Sequence, residues 1–298
     1  MDFQNIKFDL STKPVIQIGY PMSTSTIGLM YSSIASALDI NGFMMMKEVM
    51  PEDLEDFVKG AKAIGAVGIS ITMPCKSAIV SCLDETDEIA AIYGAVNVVK
   101  ISPDGHTKGY PFDCYGLVGA LEKTAAIDLN GKRVMMLGAG SICGPISYNL
   151  AKHGVVHIDI FNRTLEKAQR IVDLTTANTP VSMNAYPLEN AALDEAAEKC
   201  DILLQCTSVG MSSVPGEFSY LGFMDRLKKD AFVFDVISQS SGTPILHRAQ
   251  ELGLKNLGGI HMILCQVGLA FEQWFGITWG ERETAIAMDV WEKMSAKK

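Results

Sequence analysis

The sequence has few of the features that mark nucleic-acid-binding, secreted or membrane proteins. The formal net charge is −9, and no basic block exceeds LKKD at 227–230, so a nucleic-acid partner is not expected. No apolar stretch approaches the roughly 18 residues of a membrane span. The opening residues, MDFQNIKFDL, contain no basic segment followed by an apolar run. We therefore expect a cytosolic protein without a membrane partner.

Cysteine and histidine are present without the spacings that build metal sites. The seven cysteines show no CxxC pair, which argues against a disulfide framework and a zinc knot. The five histidines are scattered, with no HExxH or HxH motif. We expect buried cysteine side chains and no protein-built metal site.

What the sequence does contain is typical of a compact α/β protein with one or two domains. Hydrophobic residues make up 48% of the 298 residues and charged residues 20%, which disfavours disorder. Short apolar runs alternate with helical stretches from Val15 onward, and this predicts a parallel or mixed sheet with helices on its faces. The predicted strands are VIQIGYP, FMMMKEVM, AVGISIT and VNVVKI, and the predicted helices are TIGLMYSSIASALDING, PEDLEDFVKGAKAI and DETDEIAAIYGA.

A second unit is predicted to begin after a polar turn region near residue 107. The helix CYGLVGALEKTA follows, and then a βαβ unit formed by RVMMLGAGSICGPISYNLAKHGVVHIDIF. The strands DILLQCT and AFVFDVI extend its sheet, and the apolar helical C-terminus is long enough to return to the first domain. We predict a substrate domain of residues 1–110 with helices at 262–298, and a Rossmann-like dinucleotide domain of residues 111–261.

The glycine-rich stretch GAGSIC predicts a dinucleotide site. Gly138 permits a tight turn after a strand, Gly140 allows a pyrophosphate to approach the backbone, and Cys143 replaces the usual third glycine. At the end of the next strand, Asn162 and Arg163 suit the 2′-phosphate of NADP. Asp159 lies slightly earlier in that strand and keeps NAD open as an alternative.

A lysine in the apolar stretch GISITMPCKSAI also requires an explanation. Lys76 would seldom be buried there without a carboxylate or a cleft, because desolvating its charge is costly. Asp113 begins the helix that enters the second domain, where it can line an interdomain cleft. The two side chains together predict a proton-transfer pair, although each taken alone is compatible with an ordinary surface charge.

The sequence resembles the shikimate/quinate dehydrogenase family in a series of short motifs that spans nearly the whole chain. The motifs, in order, are GISITMPCK, GAVNVV, GYPFD, GAGSIC, NRTLEKA, CTSVGM, FDVISQSSGTPIL and GIHMILCQ. The resemblance implies a substrate domain, a Rossmann-like NADP domain and C-terminal helices that pack on the first domain. It also implies hydride transfer between NADP and a ring or polyol hydroxyl or its ketone.

The resemblance further implies a role for individual residues. Lys76 and Asp113 match the catalytic pair. The implied substrate-binding residues are Ser25, Thr72, Asn97, Ser238 and Gln266. The implied cofactor-binding residues are Gly138, Ala139, Gly140, Ser141, Ile142, Asn162, Arg163, Thr164, Lys167, Val236 and Gly259.

The sequence departs from the family at positions that bind the substrate carboxylate. In GYPMSTSTIG, Ser25 matches the first of two family serines and Ile27 replaces the second, although a gapped alignment would match Ser23 and Ser25. Ser238 replaces a tyrosine, and Ser70 replaces an asparagine. We therefore hypothesise that shikimate is a poor substrate or none.

Two other functions remain open at this stage. One is an ordinary shikimate or quinate dehydrogenase in which Ser23, Thr24 and Ser238 rebuild the carboxylate site. The other is a dinucleotide-binding sensor without turnover, which the Lys76 and Asp113 pair disfavours. The sequence is compatible with a monomer or a homodimer that acts on a small-molecule substrate.

Overall fold

The computed structural model describes residues 8–22, 26–211, 214, 217–239 and 241–296. Two compact units divide the chain. Unit 1 comprises the residues up to Phe112 together with those from Gln266 onward, and unit 2 runs from Asp113 to Cys265.

Unit 1 is built on a mixed six-stranded sheet. Strands β2, β1 and β3 are parallel, β5 runs antiparallel to β3 and β6, and β4 pairs in parallel with β6, giving the order β2-β1-β3-β5-β6-β4. Its elements are β1 Lys13–Gly19, α1 Ile27–Ala37, β2 Gly42–Glu48, α2 Leu54–Ala63, β3 Gly68–Ile71, α3 Cys75–Ala78, β4 Glu85–Thr86, α4 Glu88–Tyr93, β5 Val98–Ile101 and β6 Thr107–Tyr110.

Unit 2 is built on a six-stranded parallel sheet in the order β12-β11-β10-β7-β8-β9. The central strands RVMML, ILLQ and FVFD are almost entirely buried, as strands covered by helices on both faces must be. Its elements are α5 Phe112–Gly119, whose first residue is counted with unit 1, β7 Arg133–Leu137, α6 Cys143–Lys152, β8 His157–Phe161, α7 Leu165–Asn178, β9 Ser182–Tyr186, α8 Asn190–Lys199, β10 Ile202–Gln205, β11 Phe232–Asp235, α9 Pro244–Glu251 and β12 Lys255–Gly258.

The chain returns to unit 1 through its last two helices, α10 Ile260–Phe275 and α11 Glu281–Ser295. Helix α11 packs against α1, and Trp274 of α10 donates its indole N–H to the Val99 carbonyl at 2.9 Å. The α/β class and the return of the C-terminal helices to the first unit are therefore confirmed. Among the described residues, no helix has both the length and the apolar character of a membrane span.

The prediction of a polar turn region near residue 107 was wrong at its start. Residues 107–110 form strand β6, in which Thr107 and Gly109 are buried. The Asp84 carboxylate accepts hydrogen bonds from the backbone N–H of Thr107 at 2.8 Å and from its hydroxyl at 2.7 Å. These bonds fix the start of the strand. Its sequence contains no apolar run from which the strand could be predicted.

Candidate functional site

The turn after β7 depends on Gly138. Its φ is +109°, a conformation that costs glycine little and other residues much more. A Cβ there would also lie 3.0 Å from the carbonyl carbon and oxygen of Cys206. The N–H of Gly138 donates to the Phe161 carbonyl at 2.8 Å, so the turn is tied to the end of β8.

Gly140 leaves open space at the start of α6. A Cβ built at Gly140 meets no atom within 4 Å, and Ile142, the N-cap residue of α6, makes no capping bond through its side chain. Cys143, in place of the family's third glycine, is fully buried at the first helical position. The remaining turn residues, Ala139 and Ser141, lie between the strand and the helix. This arrangement fits a pyrophosphate held by backbone N–H groups and the helix dipole.

The end of β8 presents cationic side chains. Asn162 donates its side-chain N–H to the Thr164 carbonyl at 2.8 Å, which shapes the turn that leads into α7. Arg163, Thr164 and Lys167 are exposed. An arginine and a lysine at this strand end fit a phosphate on the adenosine ribose.

Asp159, the residue that made NAD an alternative cofactor, lies inside β8 and not at its end. It is 8% exposed and accepts hydrogen bonds from His157 Nε2 at 2.8 Å and Asn184 Nδ2 at 3.1 Å. Because the strand continues for two residues beyond it, Asp159 does not occupy the position of a ribose-binding carboxylate.

Two predicted nicotinamide-site residues meet at the ends of β11 and β12. A Cβ at Gly259 would overlap the carbonyl group of Val236, so the two backbones are in close contact. Gly259 also donates its N–H to the Ile237 carbonyl at 3.1 Å. Ser238, which follows, is exposed.

Sequence reasoning missed the buried carboxylate that organises this loop. Asp235 is fully buried and accepts bonds from the Ile237 N–H at 2.9 Å and the Thr243 hydroxyl at 2.6 Å. Burial raises its pKa to about 6, although the bonds from Thr243 and Ile237 act in the opposite direction. The sequence feature that could have indicated this buried carboxylate is a charged residue at the end of the apolar strand FVFD.

In unit 1, the backbone brings together three of the predicted site residues. The Lys76 carbonyl accepts the Val96 N–H at 2.9 Å, and the Asn97 carbonyl accepts the Ile71 N–H at 2.8 Å. Thr72, Lys76 and Asn97 therefore lie on adjacent turns at the ends of β3 and β5. Asn97 is 3% exposed, whereas Thr72 and Lys76 are half-buried.

The loop after β1 packs against the same turn. A Cβ at Gly19 would overlap the Thr72 methyl group, and Tyr20 donates its N–H to the Met73 carbonyl at 3.0 Å. Ser25, the predicted carboxylate ligand, lies outside the described residues, as do Ser23 and Thr24.

The other predicted site residues lie on helices. Gln266 belongs to the part of α10 that is counted with unit 1, and Asp113 is the first residue of unit 2, in the first turn of α5. That Lys76 and Asp113 act as a pair stays a prediction. In the described part of the chain, no three His, Cys, Asp or Glu side chains form a cluster suited to a metal ion.

Two family models match the chain. Residues 17–99 match the shikimate dehydrogenase substrate-binding domain, and residues 120–248 match shikimate/quinate 5-dehydrogenase. The two matches cover most of the predicted substrate and dinucleotide residues.

Similar proteins span almost the whole chain. A shikimate dehydrogenase (NADP(+)) from Alkaliphilus metalliredigens is 34% identical over 266 residues, which is 89% of this chain and 92% of that protein. Shikimate 5-dehydrogenase from Listeria monocytogenes, solved with shikimate and NAD, gives a TM-score of 0.86 at 27% identity, covering 97% of this chain and 98% of its own. The ligand-free 5-ketofructose reductase of Gluconobacter sp. strain CHM43 gives 0.83 at 28% identity, covering 96% and 100%.

Proposed function

Because the chain belongs to the shikimate/quinate dehydrogenase family, it is an NADP-linked oxidoreductase, and we propose that its substrate is an uncharged cyclic or small polyol or the corresponding ketone. Shikimate and quinate, which carry a carboxylate, are then poor substrates.

The altered carboxylate-binding positions carry this proposal. Ile27, the first residue of α1, stands at the position of the second family serine, and its hydrocarbon side chain has no group that can bond a carboxylate. Ser238 is too short to replace the reach of a tyrosine. A hydrogen bond to a charged group contributes about 1.5–3 kcal/mol, so losing two weakens binding by about 10² to 10⁴.

The predicted catalytic residues retain the chemistry of the family. When bound, the cofactor would supply a hydride to the reacting carbon as NADPH or would accept one as NADP⁺. Lys76 gives a proton to the substrate oxygen during ketone reduction and takes it back during alcohol oxidation, and Asp113 supports the cationic form of the lysine. Thr72, Asn97 and Gln266 hold the hydroxyl groups that fix the substrate.

The similarity to 5-ketofructose reductase supports an uncharged substrate, because the name of that enzyme denotes a keto sugar without a carboxylate. The similarity to shikimate dehydrogenases supports the alternative of an ordinary shikimate or quinate dehydrogenase. In that case Ser23, Thr24 and Ser238 would have to bind the carboxylate.

Steady-state kinetics separate these two functions. We expect the kcat/KM for shikimate and quinate to lie below about 10⁴ M⁻¹s⁻¹, the low edge of ordinary enzymes, and that for an uncharged polyol or keto sugar to lie above it. A shikimate value above that limit contradicts the proposal. Absence of turnover across acids, polyols and keto sugars with both NADP and NAD would instead favour a dinucleotide sensor.

Restoring the missing contacts provides a second test. The double variant I27S/S238Y should raise kcat/KM for shikimate by at least about tenfold, the equivalent of one hydrogen bond to a charged group. Activity with the uncharged substrate should not rise. The control is Ile64→Ser, which changes an exposed isoleucine that follows α2. An unchanged shikimate efficiency in the double variant would show that these positions do not set specificity.

A further inference from the structure

A polar cavity lies within unit 2, away from the predicted dinucleotide loop. Its volume is about 140 Å³, which corresponds to roughly five water molecules. Strands β7, β8 and β9 form its floor and α8 forms one wall. Such a volume accommodates a ligand of a few non-hydrogen atoms.

Strand periodicity explains why this cavity is polar. Alternate residues of a strand point to the same face, so Arg133, His157 and Asp159 share a face with the apolar residues Leu137 and Phe161. The apolar residues occupy the carboxyl ends of the strands and pack in the unit 2 core. The polar residues lie within the first three residues of their strands and line the cavity. The glycine turn follows Leu137 and the Asn162 turn follows Phe161, at the other ends of β7 and β8; of the strand residues that line the cavity, Tyr186 reaches this end.

Asp159 supplies a buried acceptor to the cavity. Its Oδ1 accepts from His157 and Asn184, and among the described residues nothing donates to Oδ2. Every fully buried side-chain N or O atom in that part of the chain has a hydrogen-bond partner, so Oδ2 is accessible from the cavity. His157 is held in turn by Ser182 Oγ at 3.1 Å.

Arg133 and Tyr186 supply donors to the same cavity. Within the described ranges, neither the Arg133 guanidinium nor the Tyr186 hydroxyl is hydrogen-bonded to another side chain or to the backbone. The Tyr186 ring stacks on Phe161 with centroids 5.1 Å apart. Burial, followed by the nearby carboxylate of Asp159, raises the pKa of Tyr186, which keeps the phenol protonated and able to donate.

The Arg133 guanidinium and the Oδ2 atom of Asp159 carry charge of opposite sign and are separated along the sheet. Arg133 pairs in register with His157, and Asp159 lies two residues further along β8. Strand geometry therefore separates the Arg133 and Asp159 Cα atoms by about 8 Å, a span that the long arginine side chain can shorten. A simple anion would meet the Asp159 carboxylate, and a simple cation would meet the guanidinium.

We propose that this cavity binds a small α-amino acid, with its carboxylate on Arg133 and its ammonium group on Asp159 Oδ2. A zwitterion satisfies both charges at once, and the planar guanidinium binds a carboxylate through two N–H groups. Lys199, paired with Glu195 at 2.7 Å on α8, adds a neutral pair to the cavity wall. This assignment does not depend on the substrate proposed above.

Titration calorimetry on the full chain tests this proposal with glycine, L-alanine and L-serine. We expect at least one to bind at least about tenfold more tightly than acetate, ethylamine or inorganic phosphate, which each carry charge of one sign. Arg133→Gln and Asp159→Asn should each weaken this binding by about tenfold or more, the effect of one hydrogen bond to a charged group.

Arg133→Gln keeps the backbone bond from Arg133 N–H to Asp201 at 2.8 Å and loses no side-chain bond, so it tests the site even if Asp159→Asn unfolds. The control is Arg282→Gln, an exposed arginine of α11. NADPH affinity should be the same in Arg133→Gln as in the wild type. If none of the three amino acids gives a heat of binding at about 10 mM, the Kd is too weak for a specific site, and the proposal is overturned. Amino-acid binding that Arg133→Gln leaves intact, or phosphate binding of equal strength, overturns it as well.

Discussion

At the scale of single residues, Lys76 offers a test that separates catalysis from folding. Its carbonyl accepts the Val96 N–H at 2.9 Å, and alanine keeps this backbone bond. Lys76→Ala should therefore lower kcat by about 10² to 10⁴, the usual contribution of a proton-transfer group, while the Kd for NADPH stays constant. Stopped-flow turnover and NADPH fluorescence titration measure the two quantities. Lys59→Ala, at an exposed lysine of α2, is the control, and near-normal turnover in Lys76→Ala excludes the catalytic role.

Arg163 tests the predicted preference for NADP. The side chain is exposed after β8, and a charge-assisted bond to the 2′-phosphate contributes about 1.5–3 kcal/mol. Arg163→Gln should weaken NADPH binding by about 10- to 100-fold and leave NADH binding unchanged, as measured by fluorescence titration. Lys255→Gln, at an exposed lysine of β12, should alter neither affinity. An equal loss of affinity for NADPH and NADH would show that Arg163 contacts a part of the dinucleotide that both cofactors share.

Residue patterns predicted the glycine turn better than the polar networks. Gly138 is identifiable because a tight turn between an apolar strand and a helix restricts the residue type. Asp159 is different, since its Oδ1 accepts hydrogen bonds from His157 on its own strand and from Asn184 on the neighbouring one. The pairing of β8 with β9 is a long-range feature, so the partner of Asp159 cannot be read from a single segment.

At the scale of elements, Asp235 makes the loop after β11 sensitive to pH. Its pKa of about 6 in the folded chain lies above the unfolded value near 3.9, so the folded state binds the proton more tightly. The associated stability is present below about pH 4 and is lost as pH rises through about 6. The decrease in the free energy of unfolding is about 3 kcal/mol.

Urea denaturation between pH 4 and pH 8 measures this effect. Asp235→Asn removes the titrating group and still offers an acceptor to the Ile237 N–H, so it should lose this decrease across the range. Asp230→Asn, at an exposed aspartate of unit 2, should follow the wild-type profile. If Asp235→Asn kept the full decrease, another group would be responsible for it.

The two strands of unit 2 that sequence analysis left out share a physical cause. Strand β9, SMNAY, and strand β12, KNLG, lie at the two edges of the unit 2 sheet and are largely exposed or half-buried. An edge strand buries too little surface to require an apolar run. The central strands β7, β10 and β11 carry such runs and were predicted.

At the scale of the whole molecule, the α/β class followed from the alternation of apolar runs, but the sheet orders did not. In unit 1, β4 is a two-residue strand that pairs in parallel with β6, and nothing in its sequence specifies that partner. The C-terminal helices were expected on the first domain because they are apolar and long. The first domain must also leave room for these helices. At Gly68 only glycine fits, since a Cβ there would overlap the Trp274 ring.

The stability of unit 1 therefore depends on Trp274 of helix α10. Its ring is 4% exposed, its centroid lies 5.8 Å from that of Tyr31, and its N–H is bonded to Val99. Trp274→Ala should lower the free energy of unfolding of unit 1 by about 3–5 kcal/mol. Hydrogen exchange should then lose protection in β1, β3 and β5 and keep it in β7, β10 and β11, because unit 2 has a sheet and a core of its own.

The reciprocal control for that experiment is Phe223→Ala, which opens the core of unit 2, where Phe223 is 1% exposed. It should reverse the pattern, with protection lost in β7, β10 and β11 and kept in β1, β3 and β5. Local opening of this kind is expected when each region contains its own cooperative set of buried contacts. An equal loss of protection in both units from either variant would show instead that the chain unfolds as one cooperative unit.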